Sequence, residues 1–352
     1  MPYLKLPDGT EIGVTLEDLT NSIKLLFTGS TPHINYNLGF ITRFYAKEPT
    51  WLTAHTTRGD VVAPYVILFD YRDQAPDQAW GHVTVGSAYD FPKELLSHRE
   101  AMVANFNREG KLSRGNRPCP RVLSFERGTD GLPVLTVHRA FYYDQVGTNL
   151  TPDEPLQPAL KQGDITCASV RTWDLAQASC EERLPAFSAS RLANTIGVAV
   201  GITVPDKYGR PQVLRRKRTK KVAVYEGQWH VPFSFALAWT ETLRAGDSLN
   251  LAGLILPDYG HEFAEELRGF EITDFEPARP LAFCRDMVRA GKPQFFFEIR
   301  SRILIEDLKK RIGPDDLEYR GKVEVADGQA VEMSPELLAF SLLVSRGDLD
   351  AS

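Results

Sequence analysis

The strongest constraint on this chain is how its apolar residues are parcelled out. They come in strand-sized runs cut by Gly, Pro and Asp, and the longest rich run, Phe233 to Trp239, falls far short of the ~20 residues that a membrane-crossing helix needs. Runs rich in β-branched and aromatic residues at 61–71, 80–85, 132–143, 195–204, 212–216 and 229–238 predict strands, with a further extended stretch at 221–225. Apolar positions recurring every three to four residues predict helices at 18–28 and 91–109, in a block ending near Gly269, and at 305–312 and 336–344. Ser334 and Pro335 offer a cap and a first-turn residue for the last of these. The expected protein therefore mixes α and β elements.

At 352 residues the chain is long enough for two domains. Residues 152–163 are rich in Pro, Asp, Glu and Gln and poor in large apolar side chains, which predicts a surface linker between an N-terminal α+β domain at 1–151, of no assigned type, and a second domain at 164–352. A composition of 43% hydrophobic and 25% charged residues disfavours disordered, collagenous and coiled-coil classes. The net charge of −5 supplies no general attraction to nucleic acid or anionic membrane. Cys119, Cys167, Cys180 and Cys284 are widely spaced, so neither a disulfide framework nor a cysteine zinc site is expected. With no basic segment followed by an apolar stretch at the start, the expectation is a cytoplasmic protein with reduced thiols.

The P-loop, Rossmann and nucleophile-elbow signatures are absent, which removes the usual marks of NTPases, dehydrogenases and α/β-hydrolases. His261-Glu-Phe-Ala-Glu265 comes near a zinc protease motif, but Glu265 stands where the second histidine would be. What remains is an acidic helix. On a helix turning ~100° per residue, Glu262, Glu265 and Glu266 fall within one narrow arc, and Phe263, Ala264, Leu267 and Phe270 lie opposite. Like charges at i,i+3 and i,i+4 repel by a few tenths of a kcal/mol, about what the reverse pairing would gain. A hard divalent cation such as Mg²⁺ or Mn²⁺ would turn that repulsion into ligation. Taken alone, E-x-x-E-E is also the ordinary solvated face of an amphipathic helix.

The surroundings add to it. His261 to Phe270 matches R-E-U-x-E-E and then carries one extra residue before Gly269, and Gly227-Gln-Trp229-His-Val-Pro232 matches G-x-W-x-x-P. In these features the segment from Leu192 to Gly269 resembles the Nudix hydrolases. The flanks resemble a divergent Nudix branch of bacterial multidomain proteins, in Tyr142 to Asn149, Ser190 to Val198, Arg215 to Val222 and Tyr225 to Trp229. The likeness covers about residues 142–298. It implies a mixed-sheet α/β/α sandwich in the C-terminal half and hydrolysis of a nucleoside diphosphate-linked compound. Glu262, Glu265 and Glu266 would hold the cation, and Glu266, Glu241 or Glu298 would serve catalysis. Several positions depart from the pattern: Phe233-Ser234 replace Gly-Gly, Gly253 stands where the first box Glu belongs, and His261 replaces the box Arg. Glu241 is the nearest substitute for that Glu if Thr242–Pro257 is an inserted loop.

Six positive charges crowd seven positions from Arg215 to Lys221, a local phosphate-attracting run that would otherwise serve as a charged edge strand. Arg216, Arg218 and Lys221 are the candidate phosphate contacts, and Trp229 is a candidate stacking platform that equally suits a core. Glu298 is a charged residue inside a buried-looking strand, which needs a partner there. The expected partner is a nucleotide-type small molecule, with a homodimer as a further expectation and nucleic acid disfavoured. The alternative reading is a catalytically degenerate Nudix fold that binds a nucleotide or signalling ligand and regulates.

Overall fold

The computed structural model describes residues 3–5, 11–13, 38–48, 51–56, 59–74, 80–112, 115–209, 211–218, 225, 227–267, 270–304, 306–307, 323–325 and 333–345. The helix expected at 18–28 lies outside them, as does most of the one at 305–312. In chain order the elements are β1 (Tyr3–Lys5), β2 (Glu11–Gly13), α1 (Leu38–Tyr45), β3 (Trp51–Thr56), β4 (Gly59–Asp70), β5 (His82–Ala88), α2 (Leu96–Arg108), β6 (Pro118–Arg127), β7 (Pro133–Phe141) and α3 (Tyr142–Val146). There follow β8 (Pro155–Gln162), β9 (Ile165–Ser169), α4 (Val170–Gln177), β10 (Gly197–Pro205), β11 (Pro211–Lys217), β12 (Trp229–His230), β13 (Phe233–Ala236) and β14 (Ser248–Asn250). The last are α5 (Leu251–Glu266), β15 (Arg279–Asp286), β16 (Lys292–Arg300), β17 (Val323–Val325) and α6 (Pro335–Val344).

The main sheet has nine strands, in the order β12-β11-β10-β16-β15-β4-β3, with β13 also on β10 and β17 also on β11. It is mixed: β10 and β16 run parallel, and the other pairs are antiparallel. Its two central strands are buried on both faces. Val198, Val200, Ile202, Phe295, Phe297 and Ile299 point into one core, while Ala199 and Phe296 point into another, as the two-residue period of a strand requires. The first core is closed by α5, through Leu254, Ile255, Tyr259 and Phe263, and by a four-stranded sheet of order β14-β5-β7-β6. The second core is closed by α6. The protein is thus a mixed α/β structure with several sheets, in which one face of the central sheet is shared between a helix and a second sheet.

Residues 152–163 do not separate two sheets. Strand β4 pairs with β15 and β14 pairs with β5, so each of the larger sheets takes strands from both sides of that segment. The segment itself carries β8, paired with β9 in a two-stranded ribbon. Its Pro- and Gln-rich composition suits an exposed ribbon as well as a linker. The condition under which Glu241 would substitute for the first box Glu, an inserted loop at Thr242–Pro257, is not met. Residues 251–257 are the first turns of α5, because the Asn250 side chain accepts from the Ala252 amide at 2.8 Å and caps the helix there. No helix among the described residues is long and apolar enough to cross a membrane.

Candidate functional site

Helix α5 is amphipathic and aromatic packing fixes its C-terminal half, but its arcs divide otherwise than expected, with Glu262 buried and Ala264 exposed. The Tyr259 and Phe263 rings lie 6.0 and 6.4 Å from Phe233 of β13, and Phe263 meets Phe275 edge-on at 5.4 Å. These contacts hold the last turns against the sheet and fix which arc faces outward. Glu262, three residues after Tyr259 and next to Phe263, falls on the packed side and is only 5% exposed, whereas His261 and Glu265 are open to solvent. One donor atom from each of His261, Glu262 and Glu265 lies within 4.8 Å of the others. His261 Nδ1 is 3.9 Å from the Glu265 carboxylate. The backbone of Glu266 belongs to α5, but its side chain lies outside the described residues.

This is an electrostatically costly place for acids. The helix C-terminus carries the negative end of the macrodipole, so carboxylates in the last turn lose ~0.3–1 kcal/mol each where cations would gain it. No basic residue stands in that turn of α5. A divalent cation would offset both the dipole and the mutual repulsion. Two carboxylates and one imidazole suit Mn²⁺, whose borderline character accepts nitrogen, and a helix face leaves the other coordination positions to phosphate oxygens and water. The donor set therefore fits the group.

Arg216 lies on the same face of the sheet. It stands two residues after Leu214, which points into the α5 core, and its Nη1 donates to the Pro232 carbonyl at 3.3 Å. Pro232 precedes Phe233, the residue that touches both α5 rings. Arg218 goes elsewhere. Its Nη1 donates to Ser234 Oγ at 3.4 Å, and Ser234 alternates away from Phe233 and Phe235. Trp229 is core, packed with α6 residues beneath the Arg215 guanidinium at 4.6 Å. The structure thus does not gather Arg218 and Trp229 with the acidic turn. Lys221 lies outside the described residues.

Glu298 is also on the far face. It follows Phe296 on β16 by two residues, so it points to the α6 side, 1% exposed. There its Oε1 accepts from Thr203 Oγ1 at 2.7 Å, its Oε2 accepts from Arg279 Nε at 2.7 Å, and Arg300 Nε lies 3.3 Å away. The partner anticipated for a buried charge is present, and the sheet stands between this carboxylate and α5. Glu241 is exposed on the loop after Trp239 and lines a cleft of about 510 Å³. Asp258 Oδ2 accepts from the Ala238 amide at 2.5 Å, which places the start of that loop at the level of Asp258. Seven residues further along α5, Glu265 is ~10 Å away at 1.5 Å per residue. The structure therefore does not bring Glu241 and Glu298 to the acidic turn.

In sequence His261 stands out as the first residue of an incomplete zinc motif and as the replacement of the box Arg, not as a third donor beside Glu262 and Glu265. Its i,i+4 spacing to Glu265 was the available signal. No family model matches this chain, and no curated protein does. A solved structure, that of a Nudix hydrolase from M. Smegmatis, RenU, matches over 45% of this chain and 91% of its own, with 10% identity and a TM-score of 0.25.

Proposed function

We propose that this chain is a Nudix-type module that binds a nucleoside diphosphate-linked compound through a divalent cation, Mg²⁺ or Mn²⁺, held by Glu262 and Glu265 with His261. The reading rests on one observation: three donor atoms lie within 4.8 Å of one another on a helix end locked against the sheet. Glu262 is buried beside the turn, and Glu265 and His261 reach solvent, where a phosphate can approach a bound cation. Arg216, on the same sheet face, supplies a guanidinium for a phosphate oxygen. Glu266 is the further acid of the box, and Lys221 a further cation of the basic run.

Hydrolysis of the diphosphate bond is the second reading, and the same donor group favours it. A cation bound there would neutralise phosphate charge and lower the pKa of a coordinated water. Against it, Glu298 is committed to Arg279, and Glu241 sits on the loop after Trp239, facing a cleft that no α5 residue lines, so neither is placed to take the water's proton. Binding with regulation is therefore the better-supported reading.

The test is a titration of the full chain with ADP-ribose, nucleotide sugars and dinucleotides, with and without Mn²⁺, in parallel with product analysis. Cation-dependent binding without turnover, lost in Glu262→Gln and Glu265→Gln, is the expected result. Turnover lost in the same variants would establish the hydrolase, and indifference of binding to both substitutions would remove α5 from the function.

A further inference from the structure

The cleft that Glu241 lines is built from two sheets' worth of chain: the ends of β5, β6 and β7 on one side and the loop after Trp239 on the other. Its walls carry Arg139 and Arg244, Pro118, Trp239 and Leu243 as apolar surface, and Glu241 as the acid. Neither arginine makes an ion pair among the described residues. The Arg139 guanidinium lies over the Phe141 ring at 5.4 Å, and Arg244 is held by the carbonyl oxygens of Glu241 and Leu243. The Glu241 carboxylate likewise has no hydrogen-bond or ion-pair partner among the described residues. Two guanidinium groups without an ion-pair partner among the described residues suit a tetrahedral oxyanion, which their planar forks can grip through paired N–H groups. The volume is that of an ordinary small-molecule site, ~300–1,000 Å³.

We propose that this cleft is a second ligand site, one that takes a phosphomonoester whose body carries hydroxyl groups, such as a sugar or nucleoside monophosphate. The phosphate lies between Arg139 and Arg244, the hydroxyl groups donate to Glu241, and the remaining ring packs on Trp239, Leu243 and Pro118. The site needs no divalent cation, because its positive charge is supplied by side chains. It stands independently of the reading given for α5.

Calorimetric titration of the full chain in EDTA tests it, with AMP, ribose 5-phosphate, adenosine and inorganic phosphate as probes. Both esters bind, adenosine does not, and inorganic phosphate binds more weakly than either ester. Arg139→Gln and Arg244→Gln each weaken ester binding tenfold or more, while Glu241→Gln weakens the esters but not inorganic phosphate. All three side chains are exposed, so the variants keep their fold, and unchanged melting curves verify that. The proposal is overturned if no ester binds in EDTA, if binding appears only on adding Mn²⁺, if the arginine variants bind as the wild type does, or if inorganic phosphate binds as tightly as the esters.

Discussion

Gly201 lies directly under the ring of Phe340: a Cβ added to the glycine would stand 2.1 Å from the ring's Cζ. Gly201 is central in β10 and Phe340 central in α6, and both are buried. The close approach of helix and sheet on this face depends on that missing methyl group. Overpacking of this kind costs ~1–3 kcal/mol, so Gly201→Ala should lower the denaturation midpoint by a corresponding amount. Phe340→Leu in the same chain should restore part of the loss, because the shorter side chain makes room. A chemical denaturation series of the wild type, both single variants and the double variant measures the coupling directly.

Glu298 offers a second contrast, between a catalytic and a structural carboxylate. Its two oxygens are occupied by Thr203 and Arg279 on the α6 side of the sheet. Removing one partner of a buried pair costs ~3–5 kcal/mol in a fully enclosed site, and less here because Arg279 is half-open to water. Glu298→Gln should therefore lower stability by ~1–3 kcal/mol while leaving Mn²⁺ affinity at α5 unchanged. Melting curves and a Mn²⁺ titration on the same variant check both halves.

Much of the main sheet was legible from composition alone, because its inner strands are continuous β-branched and aromatic runs. The strand expected at 195–204 is β10 at 197–205, and the one at 212–216 is β11 at 211–217. Pairing was not legible. Nothing local in Tyr65 or Val66 announces that they lie beside Asp286 and Arg285, more than two hundred residues on. The site was half legible for a related reason. Helical spacing placed Glu262 and Glu265 together without any tertiary information, but the face to which Glu298 points depends on which helix covers which side of β16. Trp229 shows the same limit, since an aromatic residue on a strand can serve either a ligand or a core, and α6 decides in favour of the core.

Lys292 makes stability depend on pH near neutrality. Its ammonium is buried, donates to Gln294 Oε1 at 3.1 Å and has no carboxylate within ion-pair distance among the described residues. Burial, reinforced by the Arg289 charge, lowers its pKa to about 7. Arg289 itself is engaged by Asp286 and Glu336, with Asp286 Oδ2 2.6 Å from its Nε. An unfolded lysine keeps its proton up to ~10.4. Between these limits the unfolded state binds more protons than the folded one, so stability rises with pH by up to ~1.4 kcal/mol per unit from this group. Below pH 7 both states are protonated and the contribution is flat, with the full cost of the buried charge present. Lys292→Met should flatten the slope between pH 7 and 9 relative to the wild type, and urea denaturation at several pH values measures the difference.

The geometry of α5 itself carries the last prediction. Pro257 stands inside the helix, where it removes one N–H donor and brings its ring toward the carbonyl of Gly253, four residues earlier. Gly253 is exposed and nothing described lies near where its side chain would be, so its carbonyl can turn out to water and the helix continues through to Glu262 and Glu265. An interior proline still costs ~3 kcal/mol relative to alanine in a regular helix. Pro257→Ala should therefore stabilise the protein, by ~1–2 kcal/mol after allowing for the proline's smaller unfolded-state entropy. Because the rings of Tyr259 and Phe263 already fix the last turns, the substitution should leave Mn²⁺ affinity within a factor of two. A higher melting temperature with unchanged Mn²⁺ binding is the expected pair of results. A lower melting temperature would mean that residues 251–257 are not the helix described, and a large change in Mn²⁺ affinity would mean that the acidic turn is positioned from the N-terminal half of α5 rather than by its own aromatic contacts.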